Sequence, residues 1–594
     1  MATNIQAITD NLDLWTSALL TRSTAGRGSG GRVEAYGIKK LRELILELAV
    51  RGKLVGQEPD DEPAAKLLER IRAEKTRLVK EQKIRKADLM QSVSDEEAPY
   101  ELQQGWEWTY LSQVSNQVHY GYTASADHSS TNVRMLRITD IQNNRVDWDA
   151  VPGCQIEPDA ITAYELHNGD LLIARTGGTI GKSYLVENLN LCAVFASYLI
   201  RVIPNCHSLP NYIKLYADSP IYWKQLYEKS MGTGQPNVNG VSLSSLLLPL
   251  PPLAEQHRIV AKVDELMALC DQLEQHQTTA SEAHQTLVET LLGTLTNTPV
   301  RPEPVEGHAS SQPFTLRQAQ GERLEGNSSG RTEFDESWTR IANHFDTLFT
   351  TEQSIDQLKQ TILQLAVMGK LVPQDPNDEP TSEFLKRKEL MADENIPFRI
   401  PDSWVWARVD EFAQTRLGKM LDKAKNKGTP VRYLRNINVR WFDFDLSDVK
   451  EMRFEDSEIK EFALRDGDVL ICEGGYPGRA AVWDEREANI YFQKAIHRVR
   501  FMNGFNPNYF VNVLRESADS GRLSSYFTGA GIQHFTGKGL MSFLVPIPPL
   551  SEQHRIVTKV NELMTLCDTL KARLAAAQTT QLHLADTIVE QTVA

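Results

Sequence analysis

Residues 249–273 read PLPPLAEQHRIVAKVDELMALCDQL, and residues 546–570 read PIPPLSEQHRIVTKVNELMTLCDTL. The two stretches stand 297 positions apart, and even Cys270 and Cys567 correspond. A second matched pair is LELAVRGKLVGQEPDDEP at 46–63 and LQLAVMGKLVPQDPNDEP at 363–380. An internal repeat on this scale sets the architecture before any local reading does. Between the anchors the likeness is weaker but stays in register. Trp106 and Trp108 match Trp404 and Trp406, NGDLLIARTGG (168–178) matches DGDVLICEGG (466–475), and Pro210-Asn211-Tyr212 matches Pro507-Asn508-Tyr509. The order is therefore constant, variable, constant, variable, constant. A charged segment near 67–95 makes the first half longer.

Apolar residues after each PPL alternate in steps of four and three. Ile259, Val263, Leu266, Cys270 and Leu273 form one series; Ile556, Val560, Leu563, Cys567, Leu570 and Leu574 form the other. This spacing predicts two long helices with a coiled-coil seam. Proline suits each helix start, because the missing N–H has no partner there anyway. The two helices are expected to lie antiparallel and to relate the modules by a pseudo-twofold axis. At 1.5 Å per residue, a helix of about 40 residues spans about 60 Å. Gly52 and Gly369 close the upstream helices and suit left-handed caps.

Each variable block opens on an aromatic doublet (GWEW or SWVW). Short apolar runs bounded by Gly, Asn and Asp follow, such as DLLIAR, YLIRVI, DVLICEG and AIHRVRF. These predict short strands, and PNYIKLYADS and PNYFVNVLRES predict helices begun by proline. The fold class is α/β (α+β): two globular domains of mixed strands and helices, separated by long antiparallel coiled-coil helices. The expected segments are a helical region 1–98, a module 99–250, a connector helix 251–297, an inserted linker 298–335, a helical region 336–398, a module 399–547 and a connector helix 548–594.

The chain has 594 residues, 41% hydrophobic and 24% charged, which excludes collagen, mucin stalks and wholly disordered chains. It has no apolar run of about 18 residues, so no membrane span is expected. Six cysteines without a CxxC pair argue against a disulfide scaffold or zinc ribbon, and point to the reducing cytoplasm. The net charge of −14 speaks against nucleic acid, but a global sum hides local basic faces. Residues 415–440 carry eight basic residues (Arg416, Lys419, Lys423, Lys425, Lys427, Arg432, Arg435, Arg440) against one acid, Asp422. Such a run suits a phosphate backbone. The first module offers polar loops instead, at 119–137, 174–183 and 232–240. Tyr120, Arg134, Arg137, Thr176, Lys182, Gln235 and Asn237 are its candidates for contacts to bases and phosphates. Gln533 and Lys538 add to the second module.

Two motifs mislead. ARTGGTIGKS lacks the spacing of a phosphate loop, and its partner EGGYPGRA lacks the lysine. FNPNYF resembles the motif of amino-methyltransferases, but Asn508 stands where proline is needed, and a helix start explains both copies. No HExxH, GxSxG or Cys/His cluster is present, so no catalytic and no metal residues are expected. Between the modules, VRPEPVEG (300–307) and LRQAQGE (316–322) are encodable by complementary strands of one inverted repeat, which reads as inserted DNA.

The doubled PPL-x-EQHRIV pattern, each copy following a divergent block of about 150 residues, resembles the specificity subunit of type I restriction-modification systems, in the subfamily with an extended N-terminus. The resemblance covers almost the whole chain outside the insert. It implies two target-recognition domains, each reading half of a bipartite site in double-stranded DNA. It implies helices that act as a ruler and dock two methyltransferase subunits, with two motor-nuclease subunits joining for restriction. S-adenosylmethionine, ATP and Mg2+ would belong to those partners, and this chain would carry no catalytic centre. A specificity subunit of a combined methylase-nuclease, or a coiled-coil protein scaffold, are the alternatives.

Overall fold

The computed structural model describes residues 2–22, 32–84, 93–94, 96–127, 132–230, 238–296, 329–384, 396–422 and 426–593. The proposed inverted repeat lies outside these residues. The chain forms two units: residues 1–280 with 577–594, and residues 281–576. Both predicted long helices are present, Leu253–Thr296 and Leu550–Val593, each of 44 residues. Each begins in one unit and ends in the other.

In the first unit the helix Tyr36–Val50 packs between two segments of the long helices. Arg42 bonds Asp271 at 2.7 Å and Glu274 at 3.0 Å, and further along Arg258 bonds Asp61 at 2.6 Å. Positions rising along one chain segment thus meet positions falling along the other, so this pair is antiparallel. Tyr36 bonds Asp586 at 2.8 Å, and Lys53 bonds the carbonyl of Val593 at 3.0 Å, so the end of the second long helix runs parallel to Tyr36–Val50. The two long-helix segments in this unit are therefore antiparallel to each other. The second unit repeats the plan around Glu352–Val367. Lys571 bonds Asp356 and Arg555 bonds Asp378, at 3.0 and 2.7 Å, while Gln357 bonds Glu289 at 2.8 Å.

The predicted seam is buried, and in each unit a short helix shares its core. Ile259, Val263, Leu266 and Cys270 are buried and Leu273 partly so, in the same core as Leu41, Ile45 and Leu48 of the short helix. Ile556, Val560 and Cys567 are buried and Leu563, Leu570 and Leu574 partly so, with Ile355, Leu358 and Ile362. A heptad stripe records only that one face is covered; here the cover is a short helix plus the base of a module.

The repeated residues turn out to be a joint. In EQHR, Glu255 accepts the indole N–H of Trp106 at 3.0 Å, and Glu552 that of Trp404 at 2.9 Å. Burial pushes both carboxyls up in pKa. Gln256 and Gln553 donate to the carbonyls of Pro251 and Pro548, at 2.9 and 3.0 Å. Tyr212 and Tyr509 donate to Pro249 and Pro546, at 2.6 and 2.8 Å. The Trp–Glu bonds tie each module to its helix, the glutamines close the turn that enters the helix, and the tyrosines hold the clasp strand inside the module. Glu255 Oε1 alone of the two glutamates' oxygens is buried without a partner among the described residues. The glycine caps also form: Lys53 N–H reaches Leu48 O at 2.9 Å and Gly52 N–H reaches Ala49 O at 3.3 Å, with Gly52 at φ +65°.

Each module is closed by its own ends. Glu107–Tyr110 pairs with Leu247–Leu250, and Val405–Arg408 with Leu544–Ile547. Above the first clasp lies an antiparallel sheet in the order Ser183–Leu185, Leu171–Ala174, Leu199–Pro204, Ser115–Tyr120. The second module has the same order, Ala480–Val482, Val469–Cys472, Ile496–Phe501, Ala413–Leu417. A second small sheet in each contains one parallel pair, Ala193–Phe195 with Arg134–Leu136 and Tyr491–Phe492 with Thr429–Leu434. The proline-started helices are Pro210–Asp218 and Pro507–Asp519. In FNPNYF, Asn506 caps the helix by accepting from the N–H of Asn508 at 3.0 Å. The charged segment that lengthens the first half contains the helix Ala64–Lys80, whose Leu67 and Ile71 are buried.

Candidate nucleic-acid interface

In the first module, several segments meet at one edge of the larger sheet. Tyr122 N–H bonds Phe195 O at 2.8 Å, Arg175 N–H bonds Tyr198 O at 2.9 Å, and Val238 N–H bonds Arg175 O at 3.1 Å. Gly240 N–H donates to the Tyr120 hydroxyl at 3.0 Å, and the Arg175 guanidinium lies 4.8 Å from the Tyr120 ring centre. Parts of all three polar loops chosen from sequence thus converge. Gly121 is required there, since a Cβ would stand 2.3 Å from the carbonyl oxygens of Phe195 and Ala196. Thr176 is half-buried and Lys182 exposed beside this rim. Gln235 and Asn237 lie outside the described residues.

The second module builds the same rim. Lys419 N–H bonds Phe492 O at 3.1 Å, Glu473 N–H bonds Ala495 O at 2.9 Å, and Phe535 N–H bonds Glu473 O at 2.8 Å. Gly418 repeats the close approach, its Cβ position 2.2 Å from Gln493 O. Gln533 and Lys538 are exposed on the last of these segments.

The family described as "Type I restriction modification DNA specificity domain" matches residues 104–281 and 401–578. The EcoAI specificity subunit of Escherichia coli is 36% identical over 626 residues, covering 99% of both chains. The EcoEI specificity subunit of Escherichia coli is 34% identical over 623 residues, covering 98% of both. This chain belongs to the type I restriction-modification specificity subunits. The solved HsdS subunit from Thermoanaerobacter tengcongensis aligns at 18% identity and TM-score 0.42, over 83% of this chain and 98% of that one. The chain thus carries the two target-recognition domains of a specificity subunit. Each matched stretch holds one module and ends within three residues of where its long helix passes to the other unit.

The basic run of the second recognition domain is less free than its sequence suggests. Arg432 pairs with Glu487 at 2.7 Å, Arg435 with Asp448 at 2.6 Å and Arg440 with Asp445 at 3.1 Å. Arg416 pairs with Glu461. Lys419 is buried, paired with Glu458, and 5.0 Å from the Phe454 ring centre. Counting acids only within the run missed these partners, which come from other strands and loops. Lys427 is exposed with no ion-pair partner among the described residues; Lys423 and Lys425 lie outside them. In the first domain Arg134 donates to Val151 O at 2.8 Å. Arg137 forms a bidentate pair with Asp140, at 2.7 and 3.0 Å, which raises its pKa. Arg175 belongs to the polar loop 174–183 singled out from sequence; the rim residues outside those candidates are Tyr198, Lys494, Tyr476 and Arg479. Their only sequence signal is position: each flanks a sharp turn after a buried strand.

Among the described residues no helix is long and apolar enough to cross a membrane, and no cluster of His, Cys, Asp and Glu is placed to hold a metal.

Proposed function

We propose that each recognition domain reads one half of a bipartite site in double-stranded DNA, through the rim just described. The long helices fix the spacing between the halves and dock two methyltransferase subunits, which carry S-adenosylmethionine. Two ATP- and Mg2+-dependent motor-nuclease subunits join for restriction, and this chain contributes recognition without chemistry. The observation that carries the reading is the contrast between the two levels of the repeat. The joint residues are the same twice over, Trp106–Glu255 and Trp404–Glu552, whereas the rims differ residue by residue. Identical joints hold readers of different text. Domain exchange tests this. The clasp strands Glu107–Tyr110 and Leu247–Leu250 mark the boundaries, so replacing 111–246 by the same segment of another specificity subunit leaves the Trp106–Glu255 and Gln256–Pro251 bonds whole, provided that the donor keeps the tyrosine at position 212. The expected result is a methylated target changed in one half only. Change in both halves overturns the modular reading. Capture of a methyltransferase by the tagged full-length chain, co-expressed with its partners, tests the docking.

A further inference from the structure

The two rims differ most at the loop after the central strand. In the first domain this loop is TGGTIGK (176–182), and in the second it is GGYPGR (474–479). Their ends superimpose by register. Gly181 N–H bonds Ala174 O at 2.8 Å, and Gly478 N–H bonds Cys472 O at 2.9 Å. The pairings Ile173 with Ser183 and Ile471 with Ala480 follow directly. The second loop is one residue shorter, so Tyr476 falls opposite Gly178 counted from the strand and opposite Thr179 counted from the closing glycine. The first domain has no aromatic at either place, and the Cβ position of Gly178 has nothing within 4 Å.

Tyr476 is 62% exposed, a large aromatic side chain left in solvent. It is nevertheless held. The Arg479 guanidinium lies 4.2 Å from its ring centre. Arg479 in turn donates to Asn436 O at 2.9 Å, and Asn436 donates to Gly474 O at 3.1 Å. Gly475 and Gly478, at φ +78° and +84°, fix the turn between them. Beside the loop stand Ile437, 42% exposed, and the exposed Gln533. A rigid exposed aromatic loses little entropy on binding, and in a DNA groove such side chains meet base edges or wedge between base steps.

We infer that Tyr476 is a specificity-determining contact of the second recognition domain, its ring meeting a base in the groove of that half-site. Arg479 is the positioning residue, holding the ring from behind. This rests on the proposed DNA reading. The full complex, expressed with its methyltransferase in a host lacking the target methylation, is read by single-molecule sequencing. Tyr476→Ala is expected to cut methylation of the native motif at least tenfold, or to admit other bases at one position of one half-site, with the other half unchanged. Tyr476→Phe keeps the native preference. Arg479→Met mimics Tyr476→Ala in base preference, and Arg479→Lys, which keeps a cation behind the ring, restores it. The ring touches no core, so the melting midpoint of Tyr476→Ala is expected to equal that of the parent. Native base preference with methylation within twofold in Tyr476→Ala overturns the inference, as does a loss accompanied by a lowered melting midpoint and shared by Tyr476→Phe. A parent complex that methylates no bipartite motif overturns the DNA reading itself.

Discussion

The ammonium of Lys53 donates a 3.0 Å hydrogen bond to the carbonyl of Val593, at the end of the second long helix. Its repeat partner Lys370 approaches the carbonyl of Leu295, at the end of the first, at 3.5 Å. Both lysines belong to the repeated GKLV, and both place a cation at a helix C-terminus, where the helix dipole favours it. Burial of Lys370 lowers its pKa, as expected for an ammonium held off solvent. The cores agree: Ala585 is buried in the first unit, and Val288, Leu292 and Leu295 in the second. Lys53→Met should cost about 1 kcal/mol in chemical denaturation of the full chain. Removal of 577–594 should cost more, because Leu582, Ile588 and Val589 leave the core as well. Equal stability of the truncated and full chains would contradict this arrangement.

Ion pairing divides the basic run into free and engaged charges. Lys427→Ala should weaken DNA binding for any sequence and lower the slope of log K against log salt by about 1. Lys419→Met should leave that slope unchanged and lower stability by about 1–2 kcal/mol, since the loss strands a partly exposed Glu458. Arg435→Ala, which releases the loop held through Asp448, should act through the fold of the second domain and so weaken recognition of its half-site only, with the salt slope unchanged. Titrations of the methyltransferase complex over a salt series, with oligonucleotides altered in either half, separate the three.

The sequence showed the repeat, the strands around LLIA and VLIC, the helix starts at Pro210 and Pro507, and the glycine caps, because each depends on neighbours in the chain. Heptad spacing located the buried face of Ile259 and Val263 but not what covers it. The Tyr36–Val50 helix is far away in sequence, so periodicity carries no record of it. The same distance hid Glu487 and Asp448 from the basic run. It also hid Tyr476, whose importance depends on exposure and on Arg479 behind it, neither of which is a pattern.

His497 is buried with its ring 2.9 Å from Phe535 O, and burial pushes its pKa down to about 4. The neutral ring is therefore the folded form, while the unfolded chain takes up a proton near pH 6.5. The stability this confers is fully present above pH 6.5 and is lost as pH falls toward 4. Between pH 7 and pH 5 the loss is about 2 kcal/mol. His497→Gln should flatten thermal melting over that range relative to the parent; an unchanged pH dependence would assign the effect to other groups.

The described chain resumes at Ser329, in the helix Ser329–Asn343, whose Ile341 is buried with Leu348 in the second unit's core. Replacing 299–327 by a Gly/Ser linker of equal length should therefore leave methylation unchanged, whereas a deletion running to 334 removes the start of that helix. Sequencing the gene for complementary segments across 300–322 tests the inserted-repeat reading separately.

The most direct test of the central claim is the methylome of the native cell with and without this gene. The account predicts a bipartite N6-methyladenine motif that disappears on deletion and returns with the intact gene. A methylome unchanged by the deletion, from cells that express the chain together with its methyltransferase, would contradict it.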